Sequence, residues 1–158
     1  MSDFIGHECG LALVRPKRSL DELQELYGDA AWAVRRLHLL MEKQHNRGQD
    51  GAGIATVKFD MPPGVPYLRR LRFTKHNAIE RIFDAVTREL APVYRSKRTM
   101  NATELKRRCG LLGDVYIGHL RYGTHSKNSI QNCHPLVRKD NTSSRNLSLA
   151  GNFNMTNS

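Results

Sequence analysis

The chain's strongest nucleophiles are its three cysteines, Cys9, Cys109 and Cys133, and Cys9 is set apart by where it stands. It opens the apolar run Cys9-Gly-Leu-Ala-Leu-Val14, which reads as a buried strand. A Cys-Gly step at a strand start leaves room about the sulfur, because Gly10 lets a ligand come close to the backbone. A free thiol has a pKa near ~8.5, so a base is needed to raise its thiolate fraction at neutral pH. The titratable residues directly upstream are His7 and Glu8. Cys109 and Cys133 read as small buried residues. An odd number of cysteines without a CxxC pair excludes a complete disulfide framework and disfavours a zinc site, so the thiols are expected to be reduced.

Three further stretches place polar groups at strand ends and in tight loops, where function concentrates. They are Arg47-Gly48-Gln49-Asp50, the run Gly118-His-Leu-Arg121-Tyr122-Gly-Thr124-His125, and Asn152-Phe153-Asn-Met-Thr-Asn157. Each alone also reads as a solvated turn, a surface arginine or a polar tail. Their order along one chain is the informative part.

These residues need a scaffold. Ser19 and Glu22 form a capping-box signature, and Leu23, Leu26, Tyr27, Ala30, Val34, Leu37, Met41 and Gln44 repeat at helical spacing. An amphipathic helix is expected over about 20–44, with Gly28 its weak point. A glycine-rich turn over His45–Gly53 leads to a strand over Ile54–Phe59, a Met61-Pro-Pro-Gly64 turn and a returning strand over Val65–Phe73. Helices are expected over 77–94, broken near Pro92, and over 103–109. Later strands are expected over Asp114–Arg121 and from Leu147 to Ala150. The strands resemble hairpins more than βαβ units, so the fold class is α+β.

With 158 residues, 39% of them hydrophobic and 25% charged, the chain is long enough for one domain with a real core. No apolar run approaches the roughly 20 residues that span a bilayer, and the N-terminus lacks the features of a secretory signal. A cytoplasmic location is the expectation. The net charge of +10 raises the question of a polyanionic partner. Its basic residues fall in three short clusters, Arg69-Arg70-Leu71-Arg72, Arg95-Ser96-Lys97-Arg98 and Lys106-Arg107-Arg108, without interleaved aromatics. A solvated face, or a face that meets an acidic neighbouring domain, is favoured over nucleic-acid binding.

Taken in order, the polar stretches resemble the glutaminase domain of the amidophosphoribosyltransferase family, which are class II (N-terminal nucleophile, Ntn) glutamine amidotransferases. That family has a Cys-Gly strand, a QHRGQDSAGI-like turn, an IGHVRYST-like strand end and an LAHNGNLTN-like strand end. Here stand Cys9-Gly10, Gln44-His-Asn-Arg-Gly-Gln-Asp-Gly-Ala-Gly-Ile54, Ile117-Gly-His-Leu-Arg-Tyr-Gly-Thr124 and Leu149-Ala-Gly-Asn-Phe-Asn-Met-Thr-Asn157. Residues 73–110 are unmatched. A sugar-phosphate aminotransferase of the same superfamily, such as a glucosamine-6-phosphate synthase-like enzyme, would favour Tyr at Gln49 and Trp at Tyr122, whereas His125 resembles that branch.

The resemblance implies an Ntn-type αββα sandwich, antiparallel sheets between helices, of which residues 9–158 would be the N-terminal portion. It implies hydrolysis of glutamine through a Cys9 thioester, feeding ammonia to phosphoribosylamine formation in purine synthesis. Arg121 would pair with the substrate α-carboxylate, with Thr124 and Tyr122 beside it and Arg47 and Gly48 forming the pocket wall. Asn152 and the backbone N–H of Phe153 would be the oxyanion donors. The partners implied are glutamine, a phosphoribosyltransferase domain absent from these residues, and other copies in a homo-oligomer. No cofactor is expected in this segment, and any Mg2+ would belong to that other domain.

Several residues depart from the pattern. The family's base is the free α-amine of the cysteine, whereas eight residues precede Cys9, so removal of residues 1–8 as a propeptide is expected. Phe153 replaces a glycine, Gly151 replaces a histidine and Asn46 is inserted in the turn motif. A catalytically silent interaction or regulatory domain of the same fold is the alternative these departures leave open.

Overall fold

The computed structural model describes residues 8–75, 77–96, 98–123 and 129–153. In chain order the elements are β1 (Gly10–Val14), α1 (Leu20–Tyr27), α2 (Trp32–Lys43), β2 (Gly51–Val57), β3 (Leu68–Thr74), α3 (Ala78–Arg95), α4 (Ala102–Arg108), β4 (Val115–Arg121), β5 (Leu136–Arg138) and β6 (Leu147–Leu149). Four strands form one sheet in the order β1-β4-β2-β3, antiparallel throughout, and β5 and β6 form a separate two-stranded ribbon. The class is α+β, as expected.

Strand alternation gives the sheet two faces. Ala12, Ala52, Ile54, Thr56, Tyr116 and Leu120 are buried, and this face meets Val34, Leu37 and Met41 of α2 and Ile79, Ile82, Phe83 and Val86 of α3. The opposite, outer face carries Leu11, Leu13, Ile117, His119, Arg121, Gly53, Arg70 and Arg72. The segment leading into β5 crosses it: the Arg72 guanidinium donates to the carbonyls of Cys133 at 2.8 Å and Gln131 at 3.3 Å, and that of Arg70 to Pro135 at 3.4 Å.

Local chemistry explains the differences from expectation. The helix expected over 20–44 is two helices: Ser19 and Glu22 close the capping box of α1, and Gly28, at φ 67°, ends it. The Asp29 carboxylate then accepts from the Ala31 N–H at 2.9 Å and starts the next turn. In α3, Pro92 does not stop the helix. The buried stripe Ile79, Ile82, Phe83, Val86, Leu90 continues to Val93, so packing holds the last turn against the lost hydrogen bond. The run opened by Cys9 is an edge strand rather than a buried one, with Leu11 and Leu13 49% and 63% exposed on the outer face.

Part of the basic clusters is a solvated face, with Arg95, Arg98, Arg107 and Arg108 exposed, and part is structural. Besides Arg70 and Arg72, Arg69 pairs with Glu89 at 3.0 Å, and buried Lys106 pairs with Asp114 at 2.7 Å. Among the described residues no helix is long and apolar enough to cross a membrane.

Candidate active site

The antiparallel register builds the site. Gly10 pairs with Leu120 and Gly51 with Arg121, so the start of β1, the start of β2 and the end of β4 meet at one end of the sheet. One step back along β1, Cys9 falls opposite Arg121. Its sulfur, half-buried, lies 4.0 Å from the Tyr122 carbonyl oxygen. These two residues, 113 positions apart, are brought together by β pairing alone. A one-residue slip would turn Cys9 to the other face.

The turn before β2 fits beneath this junction. A Cβ on Gly48 would stand 2.6 to 2.7 Å from backbone atoms of Leu120 and Arg121, a distance no side chain tolerates. Gly48 is therefore a contact point between turn and strand end. Asp50 clamps the same corner: its N–H donates to the Arg121 carbonyl at 3.1 Å, and its carboxylate accepts from the Gly123 N–H at 2.7 Å. The Arg121 guanidinium, whose residue is 4% exposed, and the Asp50 carboxylate each lie 3.4 Å from where a Gly123 Cβ would be. At the edge, the Gln44 side chain accepts from the Leu11 N–H at 3.1 Å and donates to the Leu40 carbonyl at 3.3 Å, tying the end of α2 to β1.

A row of rings runs along the outer face from this corner. His119, two residues before Arg121 on the same face, is 1% exposed, and among the described residues neither ring nitrogen has a partner in good hydrogen-bond geometry. The His134 ring lies 4.7 Å from it, centroid to centroid, and the Phe153 ring 4.9 Å from His134. Burial, with the nearby His134 and Arg121 charges, lowers the His119 pKa from 6.5 to about 4, although the Gly151 carbonyl works the other way. Burial also lowers that of His134. The Cys133 thiol is pushed up to about 11, first by burial, with Arg72 and Arg121 opposing and Cys9 adding to the rise. Cys133 thus lies within charge reach of both Cys9 and Arg121, while its own sulfur is spent on the Ala52 carbonyl at 3.4 Å.

Of the residues singled out from sequence, Cys9, Gly48, Arg121 and Tyr122 converge at the sheet end. Arg47 sits in a 3-10 turn over His45–Arg47 with its residue exposed. Asn152 and Phe153 come after β6 on the outer face and are both exposed, and no hydrogen bond links Asn152 to Cys9 among the described residues. Phe153 does not take a positive φ: Asp60 and Lys75 are the non-glycine residues that do among those described. Thr124, His125 and 154–157 lie outside the described residues, as do 1–7 of the expected propeptide.

Sequence reasoning passed over Asp50, Gln44, His119 and His134. The first three lie inside the motifs given above, at positions whose bland reading is a solvated turn, a helix face or a strand. His134 carried no pattern of its own. Two open recesses, of about 620 Å3 beside Tyr67 and Ser148 and about 580 Å3 beside Arg98 and Arg107, lie away from the Cys9 end. No family model matches the chain, and no curated protein matches it.

Proposed function

We propose that the chain is the glutaminase part of a class II amidotransferase of the amidophosphoribosyltransferase type, with an Ntn-type fold and Cys9 as nucleophile. The observation that carries this reading is the meeting of Cys9, Gly48 and Arg121-Tyr122, three separate motifs, at one end of one sheet. In the mechanism, residues 1–8 are removed and the freed α-amine of Cys9 takes the thiol proton. The sulfur attacks the glutamine side-chain amide and ammonia leaves, giving a γ-glutamyl thioester that water hydrolyses to glutamate. The planar Arg121 guanidinium pairs with the substrate α-carboxylate, while Asn152 and the Phe153 N–H face the developing oxyanion. The ammonia passes to a phosphoribosyl acceptor reaction outside these residues.

A second reading, a silent domain of the same fold, is favoured by the peptide bond that joins Glu8 to Cys9, since an amide nitrogen is no base. The two separate on one preparation. Protein expressed full-length is weighed intact and treated with an electrophilic glutamine analogue. The glutaminase reading expects a chain starting at Cys9, one adduct on that cysteine, and glutamate release that a Cys9→Ala variant abolishes. A chain that keeps residues 1–8 and takes up no adduct supports the silent domain.

A further inference from the structure

Gly151, Asn152 and Phe153 emerge from a ribbon whose strands have three residues each, too short to fix the chain beyond their ends. One side chain holds this segment at two points. The His134 Nδ1 lies 3.0 Å from the Gly151 carbonyl oxygen and 3.4 Å from the Gly151 nitrogen, so in either tautomer it has a partner on that residue. The same ring contacts Phe153 on one side and His119 on the other. A Cβ on Gly151 would stand 2.6 and 2.8 Å from Phe153 ring carbons, so the phenyl ring folds back over Gly151 and closes the segment into a small loop. His134 is itself anchored, 6% exposed, where its carbonyl oxygen lies against Gly53 in the centre of the sheet.

We propose that His134 is a positioning residue that holds the Gly151–Phe153 loop, and with it Asn152, in place on the sheet face that carries Cys9 and Arg121. This rests on the glutaminase reading for its catalytic consequence, but not for its structural one. The hydrogen bond and the ring act separately. An asparagine places a polar atom near the Nδ1 position without the ring, and a phenylalanine keeps the ring without the polar atom.

The test compares His134→Asn and His134→Phe in the processed, full-length protein by glutamine kinetics and by amide hydrogen exchange at Gly151, Asn152 and Phe153. Loss of one hydrogen bond to the loop predicts about tenfold faster exchange there in His134→Phe. It also predicts about a tenfold fall in kcat with KM for glutamine within about twofold, as expected of an interaction felt in the transition state. His134→Asn recovers most of both. Wild-type exchange at the loop in His134→Phe overturns the proposal whatever the activity. Faster exchange with unchanged kcat overturns its catalytic half. If the parent protein releases no glutamate, the glutaminase reading fails alone, and exchange still decides the positioning role. Should His134→Phe not fold, Phe153→Leu, which removes the ring on the loop side, is read by the same exchange.

Discussion

At the scale of single residues, His119 joins the candidate site to the stability of the fold. Its imidazole is buried, and burial is the main influence on it, so the folded state keeps it neutral down to about pH 4, whereas the unfolded chain protonates it near 6.5. Between those values the unfolded state holds more protons, so stability falls as the pH is lowered through that window and is at its full value above it. The contribution lost is on the order of 3 kcal/mol once the pH is below both values. His134, lowered in the same direction, adds to the loss. Urea unfolding at pH 7.5 and pH 4.5 should show the difference, and His119→Leu should flatten it. An equally steep pH dependence in that variant would place the acid sensitivity elsewhere.

At the scale of elements, Lys58 shows how a loop residue can close off a helix. It comes directly after β2, is 5% exposed, and its ammonium donates to the carbonyls of Lys106 and, at 3.2 Å, Cys109 at the C-terminal end of α4. A cation there satisfies orphan carbonyls and complements the helix dipole, although burial lowers the lysine's pKa. Lys58→Met keeps the apolar stem and leaves those carbonyls unpaired, at a cost of about 2 kcal/mol. An unchanged urea midpoint would mean that water replaces the ammonium freely. Nothing in the sequence marks Lys58 for this role, because its partners lie about fifty residues away and are backbone atoms. Elements with strong local signals were legible: the Ser19–Glu22 cap, the stripe of α3 and the strand ending at Arg121. The three-residue strands β5 and β6 are too short to carry a period, and β5 went unseen. Pro92 misled because its local penalty is outweighed by the burial of Val93, which is a tertiary effect.

At the scale of the whole molecule, two bodies of unequal strength meet at the candidate site. The four-stranded sheet and its helices share one core, with β4 and β2 inside it and Tyr116, Ile54 and Leu120 almost wholly buried. The β5–β6 ribbon is held to the outer face by Arg70 and Arg72, the ring row and the close fit at Gly53. The sequence suggested a set of motifs, of which Cys9, Gly48 and Arg121-Tyr122 meet at one sheet end, but not that Cys9 and Arg121 sit on the sheet and Asn152 beyond the ribbon. That division depends on register and on which strands share a sheet. Amide exchange should therefore be slowest in β4 and β2, and at least about tenfold faster in β6 and the loop after it. Gly53→Ala sharpens the test, since its Cβ would stand 2.1 Å from the His134 carbonyl oxygen. The ribbon must lift to admit the methyl, so exchange should rise in β5 and β6 while β4 stays protected. If β4 and the ribbon loosen together, the two form one cooperative unit, and Asn152 is held as firmly as the cysteine it is proposed to serve.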